Sequence, residues 1–311
     1  MIEVVCLNPA MDRTLLIPNF AAGSIHRSEK LVAVAGGKGL NTARFVKSID
    51  PLLAVSVTGF VGGCTGQYIV DHCAASGIHE TFVRIEEATR VCVIVVEHGR
   101  TTVINEDGPT VRAREVEQFR QSLAGSPDLA LICGSAPPGV PSSLYYEMVQ
   151  SYKERGVPIY VDTSGSPLKH ALDAVPTIIK VNEMEFANAR QVKEPCDEQE
   201  LIFHADRLLA QGSQAVIITR GKEGSLVITK DDVAKLSAPP VPAVNTIACG
   251  DAYFAGLAVG MSKGLPIVAS AILGAAAAAL KVGNFAPMLE NSEQLAAYQQ
   301  QVVVAHRKRG A

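Results

Sequence analysis

Short runs of unbroken apolar, mostly β-branched residues recur along the chain: IEVVCL (2–7), LLAVSVT (52–58), LALIC (129–133), PIYVD (158–162), TIIKV (177–181) and AVIIT (215–219). They do not alternate with polar residues, and continuous apolarity suits strands of a parallel sheet covered on both faces. Most are separated by stretches with helical spacing, such as REVEQFRQSL, SSLYYEMVQSYKERG and EQELIFHADRLLAQG, the last two closed by glycine. Alternation of this kind predicts an α/β fold: an open, doubly wound, mostly parallel sheet with helices on both faces.

Two segments break the alternation. Residues 14–35 carry TLLIPNF and KLVAVA, and residues 80–105 carry ETFVRI followed by RVCVIVVE-HGR-TTVINE, a hairpin with its turn at His98-Gly99-Arg100. Together they predict a small inserted β-sheet, drawn from roughly residues 12–35 and 80–106 of one domain spanning 1–311. Lying over the ligand edge, it would act as a lid that keeps water from a hydrolysis-prone reaction. The same strands would serve equally to extend the main sheet or to pair two subunits.

Composition narrows the choice of ligand and compartment. Of the 311 residues 48% are hydrophobic and 19% charged, with a formal net charge of −3. Nothing in that balance attracts nucleic acid or an anionic membrane, so an anionic ligand has to be held by local donors. The seven cysteines, at 6, 64, 73, 92, 133, 196 and 249, are scattered, odd in number and never spaced CxxC. That fits a reducing cytoplasm rather than a disulfide framework or a zinc site. The start MIEVVCLNPAMDRT lacks the basic and apolar blocks of a secretion signal. The 16-residue run LPIVASAILGAAAAAL is alanine-rich, short for a membrane span and followed by a lysine, so it reads as a buried helix. A cytoplasmic protein is expected.

Glycines and polar residues gather just beyond the strands, in NPAMD, GFVGG, GSAPPG, DTSG, NEME and RGKEG. That is the edge where open α/β sheets bind ligands. Gly36-Gly37-Lys38-Gly39-Leu40-Asn41 follows a strand-like run and opens a helix-like one. It lets backbone approach an anion closely, though a bare glycine turn would read the same, and it is not a Walker A loop. Asp12 could accept hydrogen bonds from sugar hydroxyls or simply stabilise a turn. Arg90, in the Thr89-Arg90 pair, could hold a phosphate or stand in solvent. Asn182 and Glu185 could orient hydrated Mg²⁺ through water or form a capping box. The turn Thr219–Gly224 could cradle nucleotide phosphates with its N–H groups or be an ordinary β-turn. Finally, NTIACGDAYFAG (245–256) begins a helix near Ala248. The outward N–H groups of 248–251 could stabilise charge on a transferring phosphoryl group, and Asp251 could take the proton of an attacking hydroxyl or merely cap the helix. Singly each feature has an ordinary reading; their meeting at one sheet edge favours phosphoryl transfer.

The set resembles the PfkB (ribokinase-like) carbohydrate kinase family over nearly the whole chain. Gly36–Asn41, continuing into Thr42-Ala43-Arg44, is similar to the family's N-terminal signature. Ala248-Cys249-Gly250-Asp251, followed by Ala255-Gly256, is similar to its C-terminal signature, usually written with a GAGD core. Gly134-Ser135-Ala136-Pro137-Pro138-Gly139 and Asn182-x-x-Glu185 also match, while LNPAMD, Thr89-Arg90 and INEDGP (104–109) look like the 1-phosphofructokinase and tagatose-6-phosphate kinase branch. The resemblance implies a ribokinase-like fold with a β-sheet lid. It also implies transfer from ATP, with Mg²⁺, to a primary hydroxyl of fructose 1-phosphate, tagatose 6-phosphate or fructose 6-phosphate.

By the same resemblance Asp12, Gly36, Gly37, Asn41 and Ser135 line the sugar, and Lys38 and Arg90 hold its phosphate. Asp251 is the general base beside an anion hole made by the backbone of Ala248, Cys249 and Gly250. Lys180, Asn182, Thr219, Gly221 and Gly224 face ATP, Glu185 acts on Mg²⁺ through water, and a homodimer forms through the lid. The chain departs from the pattern at Ala248 (the first glycine of the core), at Cys249, at Arg220 (commonly leucine) and at Cys92 (often asparagine in this branch). Ala248 and Arg220 prompt a second reading, a catalytically impaired sensor of sugar phosphate or nucleotide. A third is a kinase of this family for an unphosphorylated sugar or a nucleoside. Gly59-Phe60-Val61-Gly62-Gly63 is not GxGxxG and lacks the acidic residue about 20 positions on that a dinucleotide fold needs.

Overall fold

The computed structural model describes residues 1–97, 100–123, 125–192 and 197–308. The His98-Gly99 part of the expected hairpin turn and Cys196 lie outside them. The chain begins with β1 (Ile2–Cys6), β2 (Ala10–Leu16), β3 (Lys30–Gly36), α1 (Lys38–Ile49), β4 (Val55–Val61), α2 (Gly63–Ala75), β5 (His79–Glu80), β6 (Val83–Arg84), β7 (Arg90–Glu97) and β8 (Arg100–Asn105). Then α3 (Ala113–Ser122), β9 (Leu129–Cys133), α4 (Leu144–Glu154), β10 (Ile159–Asp162), α5 (Gly165–Asp173), β11 (Ile178–Asn182), α6 (Glu183–Arg190), α7 (Glu198–Gln211) and β12 (Ala215–Thr219) follow in near-regular alternation. It closes with β13 (Ser225–Thr229), β14 (Asp232–Leu236), α8 (Cys249–Ser262), α9 (Ile267–Val282), α10 (Leu295–Gln301) and β15 (Val304–Lys308).

Among the described residues the main sheet runs β15-β14-β13-β12-β11-β10-β9-β1-β4-β5, with β6 also paired to β4. The stretch from β4 to β12 is parallel, as the continuous apolar runs require. β13, β14 and β15 finish the far edge antiparallel. Alternate residues of each strand enter two separate cores. Val4, Cys6 and Leu131 join Phe45 of α1, Leu257 of α8 and Ala276 of α9. Val5, Ile132 and Val161 join Met148 of α4, Leu168 of α5 and Leu201 of α7. β1 lies between β4 and β9, so the winding reverses there and a crevice opens beyond the carboxyl ends of β1 and β9. The alanine-rich run at 265–280 becomes α9, packed on α8, and among the described residues no helix is long and apolar enough to cross a membrane.

A second sheet, ordered β3-β2-β7-β8, stands apart from the first. β2 pairs antiparallel with β3 and parallel with β7, and β7 pairs antiparallel with β8. One part of the expected lid is elsewhere. ETFVRI (80–85) does not join it; β5 and β6 pair with β4 at the edge of the main sheet. Phe82 and Ile85 explain the placement, because each is buried in one of the two main cores. The second sheet therefore takes its later strands from Arg90 onward.

Candidate active site

β2 carries Asp12 from the crevice into the second sheet, where it lies beside β3. A Cβ on Gly36 would stand 2.0 Å from the Asp12 carboxyl carbon, so glycine is what makes room for that carboxylate. Asp12 is only 5% exposed. Burial pushes its carboxyl up to about 6, against the pull of Arg44, the Gly37 N–H and Arg90. A folded value above the ordinary 3.8 means the native state binds the proton more tightly, so stability is lost as pH rises from about 4 to about 6. Two pKa units correspond to about 3 kcal/mol. Asp12→Asn is expected to unfold at a higher temperature than wild type at pH 7, with the gap closing toward pH 4. Calorimetry at both pH values checks this, and an equal gap at both would refute it.

Gly37 starts α1, which presents Asn41 and Arg44 one turn apart on its inner face. The Asn41 amide donates from Nδ2 to Asp251 Oδ2 at 2.9 Å. Arg44 donates to Asn41 Oδ1 at 2.7 Å, to the Pro287 carbonyl at 2.6 Å and to the Ala35 carbonyl. With Oδ1 occupied by a guanidinium, the amide can turn only its donor toward Asp251. Asp251 is the third residue of α8, and its carboxylate reaches across to α1 in this way. Burial pushes that carboxyl up; Asp162 adds to the shift, while Lys38, Asn41 and Lys180 oppose it.

β10 ends at Asp162, which is buried between two lysines. Lys38 Nζ lies 2.6 Å from Asp162 Oδ1, and Lys180 Nζ lies 2.8 Å from Oδ2. Burial works against ionising Asp162, but the two ammonium groups outweigh it and hold the carboxyl below the usual aspartate range. Lys38 also reaches Glu185 Oε1 at 3.4 Å, so its ammonium sits between two carboxylates. Its stem packs beside Gly134, where a Cβ would lie 3.4 Å from that of Lys38. Asn182 and Glu185 form the capping box of α6, through Glu185 N–H to Asn182 Oδ1 at 2.7 Å and Asn182 N–H to Glu185 Oε2 at 2.9 Å. With both carboxylate oxygens engaged, Glu185 suits contact with a metal through water rather than direct ligation. Among the described residues no cluster of three or more His, Cys, Asp or Glu is arranged to hold a metal ion.

Arg90 opens β7 and spans the root of the second sheet. It donates to the Glu106 carbonyl at 2.9 Å and to the Asn8 carbonyl at 3.0 Å. The glycine run 59–63 explains its fixed position. Gly62 N–H donates to Thr89 Oγ1 at 2.9 Å, and Thr89 N–H returns a 2.9 Å bond to the Gly62 carbonyl. Asn8 then links the two sides of the crevice, donating to the Asp107 carbonyl at 2.9 Å and to Ser135 Oγ at 3.3 Å. Arg90, Asn8 and Ser135 are thus gathered over the ends of β1 and β9.

α8 begins after Ala248, whose φ of 65° and ψ of 10° are left-handed. A side chain there costs about 1–2 kcal/mol relative to the right-handed region. The methyl packs against the core. Gly250 passes close to Lys180, with 2.9 Å between Nζ and the place a Cβ would take. Beside this helix start lies a cavity of about 530 Å³. Thr219, Gly221, Gly224, Cys249 and Gly250 line one side; Pro239, Val241, Tyr253 and Ala279 make the rest largely apolar. Burial pushes the Cys249 thiol up to about 11, leaving it protonated at neutral pH. Arg220 turns away into ion pairs with Glu183 (3.3 Å), Glu198 (3.4 Å) and Glu223 (3.2 Å), tying the 219–224 turn to α6 and α7. Two groups central to this geometry, Asp162 and Arg44, carry no assigned role in the sequence reading. The DTSG strand end pointed to the first; nothing local marked the second as buried.

The family description "pfkB family carbohydrate kinase" matches residues 1–293. Tagatose-6-phosphate kinase of Staphylococcus epidermidis is 31% identical, over 84% of this chain and 85% of that protein. 1-Phosphofructokinase of Bacillus subtilis is 30% identical, over 86% of this chain and 88% of that one. Phosphofructokinase-2 of Escherichia coli, solved in complex with substrates and products, has a TM-score of 0.88 at 21% identity, covering 96% of this chain and 99% of that chain. At that identity the likeness speaks for a shared fold.

Proposed function

The chain belongs to the pfkB family of carbohydrate kinases, and on that premise we propose that it moves the γ-phosphoryl group of ATP to a primary hydroxyl of a ketohexose phosphate. The observation that carries this reading is a buried carboxylate, Asp251, aimed by Asn41 at the start of α8. In the proposed step Asp251 takes the hydroxyl proton as the sugar oxygen bonds to the γ-phosphorus. The bond from that phosphorus to its bridging oxygen breaks, and ADP leaves with the electron pair. Backbone N–H groups of Ala248, Cys249 and Gly250 meet the charge on the transferring oxygens, helped by the positive end of α8.

The apolar cavity beside α8 suits a purine, with Thr219, Gly221 and Gly224 near its phosphates; Lys180, beside Gly250, and Asn182, paired with Thr219, would approach the same phosphates. Mg²⁺ carried on those phosphates would neutralise part of their charge, with Glu185 reaching it through water. Asp12, Gly36, Gly37, Asn41 and Ser135 would line the sugar, and Arg90 and Lys38 would hold its existing phosphate. The two relatives are named for tagatose 6-phosphate and for a phosphofructokinase reaction, which supports a phosphorylated ketohexose here. Neither departure that prompted a sensor reading obstructs the site: the Ala248 methyl faces the core, and Arg220 is held by glutamates. The second sheet would close as a lid, and its exposed Leu31, Val103 and Ile104 fit pairing with the lid of a second copy. A cytoplasmic site of action belongs to the same proposal.

ADP release measured across fructose 1-phosphate, fructose 6-phosphate, tagatose 6-phosphate and the free sugars tests the reading. Turnover is expected with a phosphorylated ketohexose and little with free sugars; equal turnover on free sugars would refute the phosphate requirement. Arg90→Ala is expected to raise KM for the sugar phosphate by about 10-fold or more, the worth of a charge-assisted hydrogen bond, without changing KM for ATP. If both KM values rise together, Arg90 is structural.

A further inference from the structure

Lys281, in the last turn of α9, is completely buried at 0% exposure. Its ammonium donates to the Asn245 carbonyl at 3.0 Å and to the Asn284 carbonyl at 3.4 Å. Both acceptors are neutral backbone oxygens. Burying a charge against neutral groups costs several kcal/mol, and a methionine would fill the same space without that cost. Packing therefore does not explain the lysine.

Its surroundings do. The segment leading into α8 is pinned at this point by several bonds. Val244 and Asn245 N–H donate to the Val282 carbonyl at 3.0 and 3.1 Å. Asn245 Nδ2 donates to the Phe285 carbonyl at 2.7 Å, and Asn245 Oδ1 accepts from Ile247 N–H at 3.0 Å. Asn245 therefore joins the lysine to the turn that sets the left-handed Ala248 and the start of α8. The charged and titratable groups facing Lys281 are Cys249, Asp251 and Arg44; burial pushes its ammonium toward the neutral form, Arg44 adds to that and the field of Asp251 opposes it, while the Cys249 thiol is protonated at neutral pH and carries no charge.

Resting on the kinase reading above, we propose that Lys281 is a built-in cation of the phosphoryl-anion site. It is a positioning residue that holds the Asn245 carbonyl, and through it the turn aiming the N–H groups of 248–250, and that places positive charge behind them. Carbonyl oxygens that converge on an ammonium also suit a free monovalent cation of similar size. The wild-type protein, with its cation attached, then needs none from solution.

The test compares wild type, Lys281→Ala and Lys281→Met at equal ionic strength in tetramethylammonium, ammonium or potassium chloride. Wild-type ADP release is expected to be the same in all three salts. Lys281→Ala should lose about 10-fold or more of kcat in tetramethylammonium, less than the loss of a direct anion-hole donor, with little change in KM for the sugar phosphate. Ammonium or potassium should restore most of it, whereas Lys281→Met, its cage filled, should stay slow in every salt. A wild type activated several-fold by potassium, or a Lys281→Ala variant that ammonium does not rescue, overturns the proposal. Melting temperatures read the cage without turnover: ammonium and potassium should stabilise Lys281→Ala and leave wild type unchanged. If wild type turns over no sugar the kinase reading fails, and the melting data still decide the cage. No salt-specific shift there overturns it.

Discussion

Asp251→Asn is expected to lower kcat by about 1,000-fold while leaving the protein at least as stable as wild type. The rate loss follows from removing the proton acceptor, since a positioned general base contributes 10²- to 10⁴-fold. Substrate binding should change little, because the oxygen of the substituted amide would still accept from Asn41, as the Asp251 carboxylate does at 2.9 Å. The stability half has its own sign. Burial raises the Asp251 carboxyl above its ordinary 3.8, so its ionised form is disfavoured by the fold, and stability falls as pH rises through the raised value. A neutral amide removes that cost at neutral pH. Steady-state kinetics and melting temperature on the same sample separate the outcomes. A helix-capping carboxylate would show the reverse pattern, with normal turnover and a lower melting temperature, and that result would remove Asp251 from the reaction.

Much of the fold was legible because a parallel sheet writes its burial on both faces into continuous apolar runs, as in LALIC at β9 and AVIIT at β12. The second sheet was legible as an interruption of that alternation. ETFVRI misled because β5 and β6 are two residues each, too short for periodicity to say which sheet they join. In the site, local geometry was readable and long-range geometry was not. Asn182 and Glu185, three positions apart, had a capping box written into their spacing, and the structure has it. Asp162 stood visibly at a strand end, but its two lysines come from α1 and β11, and no spacing connects them. Arg44 lies among the polar-looking residues of α1, and only the tertiary fold makes it the support of Asn41. Lys281 could be read only as the charge that ends an alanine run, since its partners are carbonyls and backbone acceptors leave no mark on sequence.

Asp162→Ala should be the most destabilising substitution in the site, at about 3–5 kcal/mol, because it breaks a buried ion pair and leaves a charge behind. For a chain of this size that corresponds to a fall in melting temperature of roughly 5–8 °C. The two lysines do not share the cost equally. The Lys38 side chain is 31% exposed and can turn to water, whereas that of Lys180 is 2% exposed and cannot. The penalty therefore sits on Lys180, and a second substitution tests that assignment. Adding Lys180→Met to Asp162→Ala should recover stability, so the double variant is more stable than the two single effects summed. Adding Lys38→Met should recover much less. The pH dependence runs opposite to that of Asp12. A carboxyl held below the ordinary 3.8 contributes stability that is complete above that value and lost as pH falls through the lowered one. The gap between wild type and Asp162→Asn is thus widest near neutrality and narrows only below about pH 4. Strict additivity in the Lys180 cycle would mean that the ammonium finds another partner and that Asp162 does not hold this junction together.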